Sequence, residues 1–235
     1  MHYIPIAWPV FLLLLFLYLI LIALIEVNVL AYAYEKIGID RRYIFSLLLL
    51  SLLGSYVNFP IYHLPPEVVR SGGLVFFFGV PHVIPMVTHW PGTVIAVNLG
   101  GAVIPTILSI YLMIKNRLLF HGLVGTGIAA LIIHHLAHPV PGVGIAVPVL
   151  LPAVVALIIA WLFSWEHGPA LAYIVGSLGT LIGGDLVNLG KLQGLGAPVA
   201  SIGGAGTFDG IFLSAILAVL LTSLVSPKQG HRQGG

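Results

Sequence analysis

Long apolar runs, broken by Pro, Gly and short charged clusters, set the pattern of this chain. Seven of them predict helices, near 8–32, 43–60, 94–114, 119–138, 144–163, 169–188 and 204–225. The runs are unbroken rather than alternating, which excludes a transmembrane β-barrel. The third, fifth and sixth carry internal Gly or Pro, tolerated in membrane helices whose neighbours satisfy the freed backbone groups. Between the second and third lies a long connection, residues 61–93. Its stretch Gly73-Leu-Val-Phe-Phe-Phe-Gly-Val-Pro81 is too short to cross a bilayer and predicts a re-entrant or interfacial segment. The first run, Trp8 to Leu30, is too long for a signal-peptide core and lacks a basic start, so it reads as a retained helix. Glu26, near its end, reads as interfacial or bundle-facing.

Composition fixes the class that this pattern suggests. With 59% hydrophobic and only 7% charged residues, the chain has too little polar surface for a soluble domain of its length. The expected fold is all-α: one polytopic transmembrane helical bundle of about seven helices over residues 1–226, with the lipid bilayer as its main partner. The polar, glycine-rich residues 227–235 predict a disordered tail. A formal charge of +2 without a basic stripe gives no case for nucleic acid. The absence of cysteine rules out disulfides, thiolate catalysis and Cys-ligated metals. Lys36, Arg41, Arg42, Lys115, Arg117, Lys228 and Arg232 fall on one side of the seven-helix arrangement, Arg70 and Lys191 on the other. The positive-inside rule then predicts a plasma-membrane protein with its N-terminus outside and C-terminus cytoplasmic.

A worn internal repeat also shows. Gly54-Ser-Tyr-Val-Asn-Phe59 is matched by Gly184-Asp-Leu-Val-Asn-Leu189, and Asn98-Leu-Gly-Gly-Ala102 by Ser201-Ile-Gly-Gly-Ala205. Duplicated halves with a site between them are a transporter trait. Yet Ser55 stands where the second copy has Asp185, and Pro105 lies near the place of Asp209. That asymmetry favours a single centre in the second copy.

Asp185 and Asp209 are the principal candidate residues. Each lies in an apolar, glycine-marked segment, and a carboxylate at membrane depth costs roughly 2.5–3.5 kcal/mol on insertion scales, so by default it marks function. The sixth helix runs outward and the seventh returns, which sets both aspartates at similar depth on adjacent antiparallel helices. Two carboxylates a few ångströms apart in a poorly solvated place do not both ionise. One keeps its proton, which supplies an acid and a base from one residue type. An aspartyl protease needs that pair: one Asp activates water and the other protonates the scissile carbonyl. The same residues could equally cap a helix or bind a cation in transit.

Asp185-Leu-Val resembles the Tyr-Asp-Leu-Val stretch of presenilin-type intramembrane proteases. Gly206-Thr-Phe-Asp-Gly-Ile-Phe-Leu-Ser214 resembles their Gly-x-Gly-Asp-Phe-Ile-Phe-x-Ser stretch. The resemblance implies that Asp185 and Asp209 are a catalytic pair acting on a transmembrane peptide, with no cofactor required. Phe208 replaces the second motif glycine, and Pro169-Ala-Leu171 precedes both aspartates rather than following them. Over most of its length the chain is similar to an uncharacterised prokaryotic family of multi-pass membrane proteins. Asn98-Leu-Gly-Gly-Ala-Val-Ile-Pro105, Asp185 and Ile202-Gly-Gly-Ala-Gly-Thr-Phe-Asp209 carry that similarity, which implies architecture but no activity.

Ten histidines form the other concentration of chemistry. His134 and His138, in His-His-Leu-Ala-His, would share one face of the fourth helix as two ligands of a divalent metal such as zinc, with His82 and His89 as further candidates. His135 replaces the glutamate of a zincin motif, so a metalloprotease signature is incomplete. No nucleotide loop or serine-hydrolase elbow is present. Two functional readings therefore stand beside that of a non-catalytic scaffold. One is a diaspartyl intramembrane protease; the alternative is a transporter or channel for a cation or small solute using the same aspartates.

Overall fold

The computed structural model describes residues 8–66, 73–77, 80–84, 91–140, 144–148, 150–204 and 210–225. Seven α-helices dominate the described residues: α1 (Trp8–Lys36), α2 (Arg41–Gly54), α3 (Ile104–Lys115), α4 (Leu119–Leu136), α5 (Leu150–Phe163), α6 (Gly168–Thr180) and α7 (Gly210–Val225). Each expected apolar run contains one of them. Two helical stretches, Leu119–Leu136 and Gly168–Lys191, are long and apolar enough to cross a membrane.

The expectation of an all-α chain needs correction. Among the described residues seven short strands are present: β1 (Asn58–His63), β2 (Gly73–Phe77), β3 (Val80–Ile84), β4 (Val94–Asn98), β5 (His138–Val140), β6 (Gly144–Ala146) and β7 (Val199–Ile202). The predicted third helix begins as β4, because Val94-Ile-Ala-Val is a short β-branched run bounded by Pro91-Gly92 and Gly100-Gly101. The second helix stops at Gly54, well before 60, since Pro60 holds Phe59 extended. The stretch expected to be re-entrant or interfacial pairs as an antiparallel hairpin, Gly73↔Ile84 through Phe77↔Val80.

The strands gather at one end of the helices. β1, β4 and β7 form a sheet with β4 in the middle. β1 runs antiparallel to β4 from Asn58↔Asn98 to His63↔Val94, and β7 runs parallel to β4 from Val94↔Val199 to Val97↔Ile202. β5 and β6 form a hairpin joining α4 to α5. At the opposite end the helices turn tightly, through residues 37–40, 116–118 and 164–167. Lys115 Nζ donates to Gly38 O at 2.6 Å and ties the first two of these turns together.

Two apolar cores result. The larger centres on α6, which is buried from Ala170 to Val175 among α3, α4, α5 and α7. Its Ala, Gly, Ser and Thr residues keep side chains small and let neighbouring backbones approach. Hydroxyls on its faces are satisfied locally: Ser177 Oγ donates to Tyr173 O and Thr180 Oγ1 to Gly176 O, at 2.7 and 2.6 Å. The smaller core lies under the sheet and joins Ile95, Ala102, Leu181, Leu192, Ala200, Ile202 and Ile211. Among the described residues α1 joins the larger core through its last turns, where Leu30 and Ala31 pack against it and Ala33 and Tyr34 are buried, and Ile37 is buried just beyond.

Candidate functional site

Asp185 sits where the sixth helix changes pitch twice. α6 gives way to a π-helical turn, Leu181–Asp185, and then to a 3-10 helix, Leu186–Lys191. Leu186 N–H is shared between Ile182 O and Leu181 O, the widened step of a π turn. Asn188 makes this break possible. It is fully buried, and its Nδ2 donates to Gly183 O at 2.8 Å and Gly184 O at 2.9 Å, two carbonyls that the pitch change would otherwise orphan. Asp185 itself is half-buried, and its Oδ2 accepts from the Gly203 N–H at 2.7 Å. Gly203 has φ +92°, a left-handed conformation that glycine adopts without strain, and a Cβ there would lie 2.6 Å from Ala102 N. The bond therefore fastens the end of the broken helix to the β7–α7 connection.

The strand crossing beside it is held by a second polar group. Asn98, fully buried, spends every hydrogen-bonding atom. Its Nδ2 donates to Ser55 O at 2.7 Å and Asn58 Oδ1 at 3.1 Å, while its Oδ1 accepts from Gly101 N at 2.8 Å. Beyond it lies another π turn, Leu99–Val103, in which Ile104 N–H reaches back to Leu99 O. Pro105, which has no N–H to give, follows this widened turn at the start of α3. Ser201 Oγ lies 2.6 Å from Asn58 Oδ1 and 2.7 Å from Gly204 O, so one hydroxyl proton serves both carbonyls.

The repeated segments meet equivalent neighbours. A Cβ on Gly100 would collide with Ser51 O and Ser55 N, so the first copy's glycine presses on the α2 backbone beside Ser55. In the second copy the matching Gly203 binds the side chain of Asp185, which matches Ser55. β4 and β7, which precede these glycines, lie side by side and parallel.

Asp209 lies outside the described residues, one position before α7. The helix next to it is placed by α6: Thr180 Oγ1 and Ser214 Oγ are 3.3 Å apart, and a Cβ on Gly176 would lie 3.2 Å from Ala215 Cα and 3.4 Å from Ala218 Cβ. As α6 advances from Gly176 to Thr180, its partners on α7 recede from Ala218 to Ser214, so the two helices are antiparallel.

The histidines do not share a helix face. α4 ends at Leu136, Ala137 is extended (φ −78°, ψ 129°), and His138 pairs with Ala146 in β5. The cause is Pro139, which disfavours helical geometry in the residue before it. His134 is half-buried with an unpartnered Nδ1, whereas His138 is exposed. His82 belongs to β3, with its side chain outside the described set, and His89 lies outside the described residues altogether. Among the described residues no group of three or more His, Asp or Glu could hold a metal.

Sequence reasoning took Glu26 as interfacial or bundle-facing, and the structure adds a cavity beside it. A cavity of about 230 Å³ lies between α1, α2, the first π turn and α7, and Glu26 lines it with Ser51, Ser55, Phe45 and the Gly100-Gly101 backbone. Its other walls are apolar. The signal was present in the sequence, since Glu26 is a lone carboxylate in the long apolar run from Trp8 to Leu30.

Comparison with curated proteins and with solved structures returned no match. The profile described as "Protein of unknown function (DUF1614)" matches residues 52–221, from the last turn of α2 into α7. That span takes in the three-stranded sheet, both π turns, Asp185 and Asp209, and it covers more than half of the 235 residues. The chain therefore belongs to the DUF1614 family.

Proposed function

We propose that this protein is a polytopic membrane protein whose Asp185 and Asp209 form the acid–base pair of an intramembrane aspartyl protease. The observation that carries the reading is the Thr180–Ser214 contact between antiparallel α6 and α7. Asp185 stands five residues beyond Thr180, and Asp209 stands five residues before Ser214. Equal displacements along the sequence from one crossing point support a reading in which the two carboxylates lie at matching depth. The Asp185–Gly203 bond supports this further, because it anchors one carboxylate to the connection that bears the other. With one carboxyl protonated and one ionised, the pair would activate water and protonate a scissile carbonyl.

Several features support the multi-pass reading and its orientation. Large apolar side chains stand exposed along the helices, among them Phe45, Ile114, Phe120 and Leu162, and hydrocarbon would cover them. At the tight-turn end, exposed Tyr32, Tyr43 and Tyr111 stack on Lys36, Arg42 and Lys115. Trp161 and Trp165 lie at the same end. Aromatic rings beside basic residues suit a membrane–water interface, and the basic side suits the cytoplasm. These features support an orientation with the N-terminus outside and the C-terminus inside.

The test is cleavage of a fluorogenic transmembrane peptide panel by purified wild type, Asp185→Asn and Asp209→Asn, with a chelator control. Cleavage that either substitution abolishes and the chelator leaves intact supports the pair. Folded wild type that cleaves nothing removes this reading. The second reading, transport of a cation or small solute, is favoured by the pitch break at Asp185 and the paired glycine segments. Ion flux into liposomes that depends on Asp185 would decide for it.

A further inference from the structure

We propose that the cavity between α1 and α2 is a binding site for a small cationic amphiphile, a primary ammonium group on an apolar tail. This site is separate from Asp185 and does not rest on the proteolytic reading. Three observations carry it.

The first is depth. Glu26 stands ten residues before Lys36 on α1, and Ser51 stands ten residues after Arg41 on α2. A tight turn joins these two helices, so both side chains lie about 15 Å from the charged end, near the middle of a hydrocarbon layer about 30 Å thick. A carboxylate at that depth needs a cation or a hydrogen-bond donor beside it. Among the described residues the ion pairs are Arg41–Glu35 and Arg42–Asp40, both at the tight-turn end, and Glu26 has none.

The second is a hydroxyl in the cavity wall. Ser51 is only 6% exposed and lines the cavity, and its neighbour is the buried hydroxyl of Tyr34, with which it pairs. That contact uses one side of the Ser51 Oγ, which has one proton and two lone pairs. An ammonium has three donors and no acceptor, so it could pair Glu26 and donate to a lone pair of Ser51 that Tyr34 does not use.

The third is the shape of the rest. Leu30, Leu48, Leu49, Leu52 and Phe212 complete an apolar chamber. The Gly100 backbone forms part of the wall, where the close approach of the π turn to α2 leaves no room for a side chain. A space of about 230 Å³ takes a short alkyl tail, not a whole phospholipid. One carboxylate, one hydroxyl with acceptor capacity to spare and apolar walls are complementary to a single ammonium with a hydrocarbon tail.

The probe is radiolabelled n-octylammonium, titrated onto full-length protein in neutral-headgroup micelles, with n-octanol as its uncharged counterpart. Saturable binding of one octylammonium per chain is expected, with octanol at least tenfold weaker. Glu26→Gln should weaken octylammonium at least tenfold and leave octanol unchanged. Ser51→Ala should weaken octylammonium by a smaller factor. Ala23→Trp, which fills the chamber without touching its polar groups, should remove both ligands. Asp185→Asn should bind octylammonium as wild type does, whatever becomes of the proteolysis assay. The proposal is overturned if folded wild type shows no saturable binding. Equal affinity for octanol and octylammonium, or a Glu26→Gln protein that binds octylammonium unaltered, would overturn it too.

Discussion

Substituting Asp185 separates two things its carboxylate does. As an acceptor it satisfies the Gly203 N–H at 2.7 Å in a partly buried place. Asp185→Ala removes the acceptor and leaves no side-chain atom to replace it. An amide stranded in that way costs about 1–3 kcal/mol. For a chain of this length each kcal/mol moves the melting point by roughly 2–4 °C, so Asp185→Ala should melt roughly 2–12 °C lower. Asp185→Asn keeps an oxygen at the same reach and loses only the charge, so its cost should stay within about 1 kcal/mol. Thermal unfolding in micelles, followed by tryptophan fluorescence, measures the difference, and hydrogen exchange at Gly203 locates it. The Gly203 amide should be protected in wild type and Asp185→Asn and should exchange faster in Asp185→Ala. If Asn destabilises as much as Ala, or if Gly203 is equally protected in all three, the bond does not hold the broken helix as argued. A stable but inactive Asp185→Asn in the peptide assay would assign the charge to chemistry and the oxygen to structure.

Two further outcomes are expected. Gly100→Ala should cost about 1–3 kcal/mol by forcing a methyl into the α2 backbone at Ser51 and Ser55, whereas Gly190→Ala, with nothing within 4 Å of its Cβ position, should be neutral or slightly stabilising by thermal melting. Because the chain has no cysteine, single cysteines report topology cleanly. A membrane-impermeant maleimide on intact cells should label His138→Cys at the strand end and spare Trp165→Cys at the tight-turn end. The opposite pattern would invert the orientation.

Much of the helical framework was legible because apolar runs of 14 or more residues leave few alternatives, and all seven runs hold a helix. Their ends were not. The strands occupy stretches as short as three to six residues, where a continuous apolar run fits helix and strand alike. Proline would have arbitrated: Pro60 and Pro139 each disfavour helix in the preceding residue, yet the predicted helices ran up to Pro60 and to His138, the residue before Pro139. Asp185 stood out by its charge, yet its partner Gly203 is eighteen residues away and met through a pitch change that no periodicity encodes. Glu26 was judged by its place in the run, while the cavity it lines with Ser51 of the next helix shows only once the helices are packed.

The pairing of β4 with β7 fixes when this molecule can be finished. Val94 and Val199 are neighbours in space but lie 105 residues apart in the chain. At about 5–20 residues per second, the ribosome needs on the order of 5–20 s to supply the second strand after the first. Through that interval one edge of β4 has no partner, and the amide of Gly203 has not yet been made to meet Asp185. The Asp185–Gly203 contact and the β4–β7 pairing are thus absent from any chain that stops before these residues, and both can close only after most of the helices have been made.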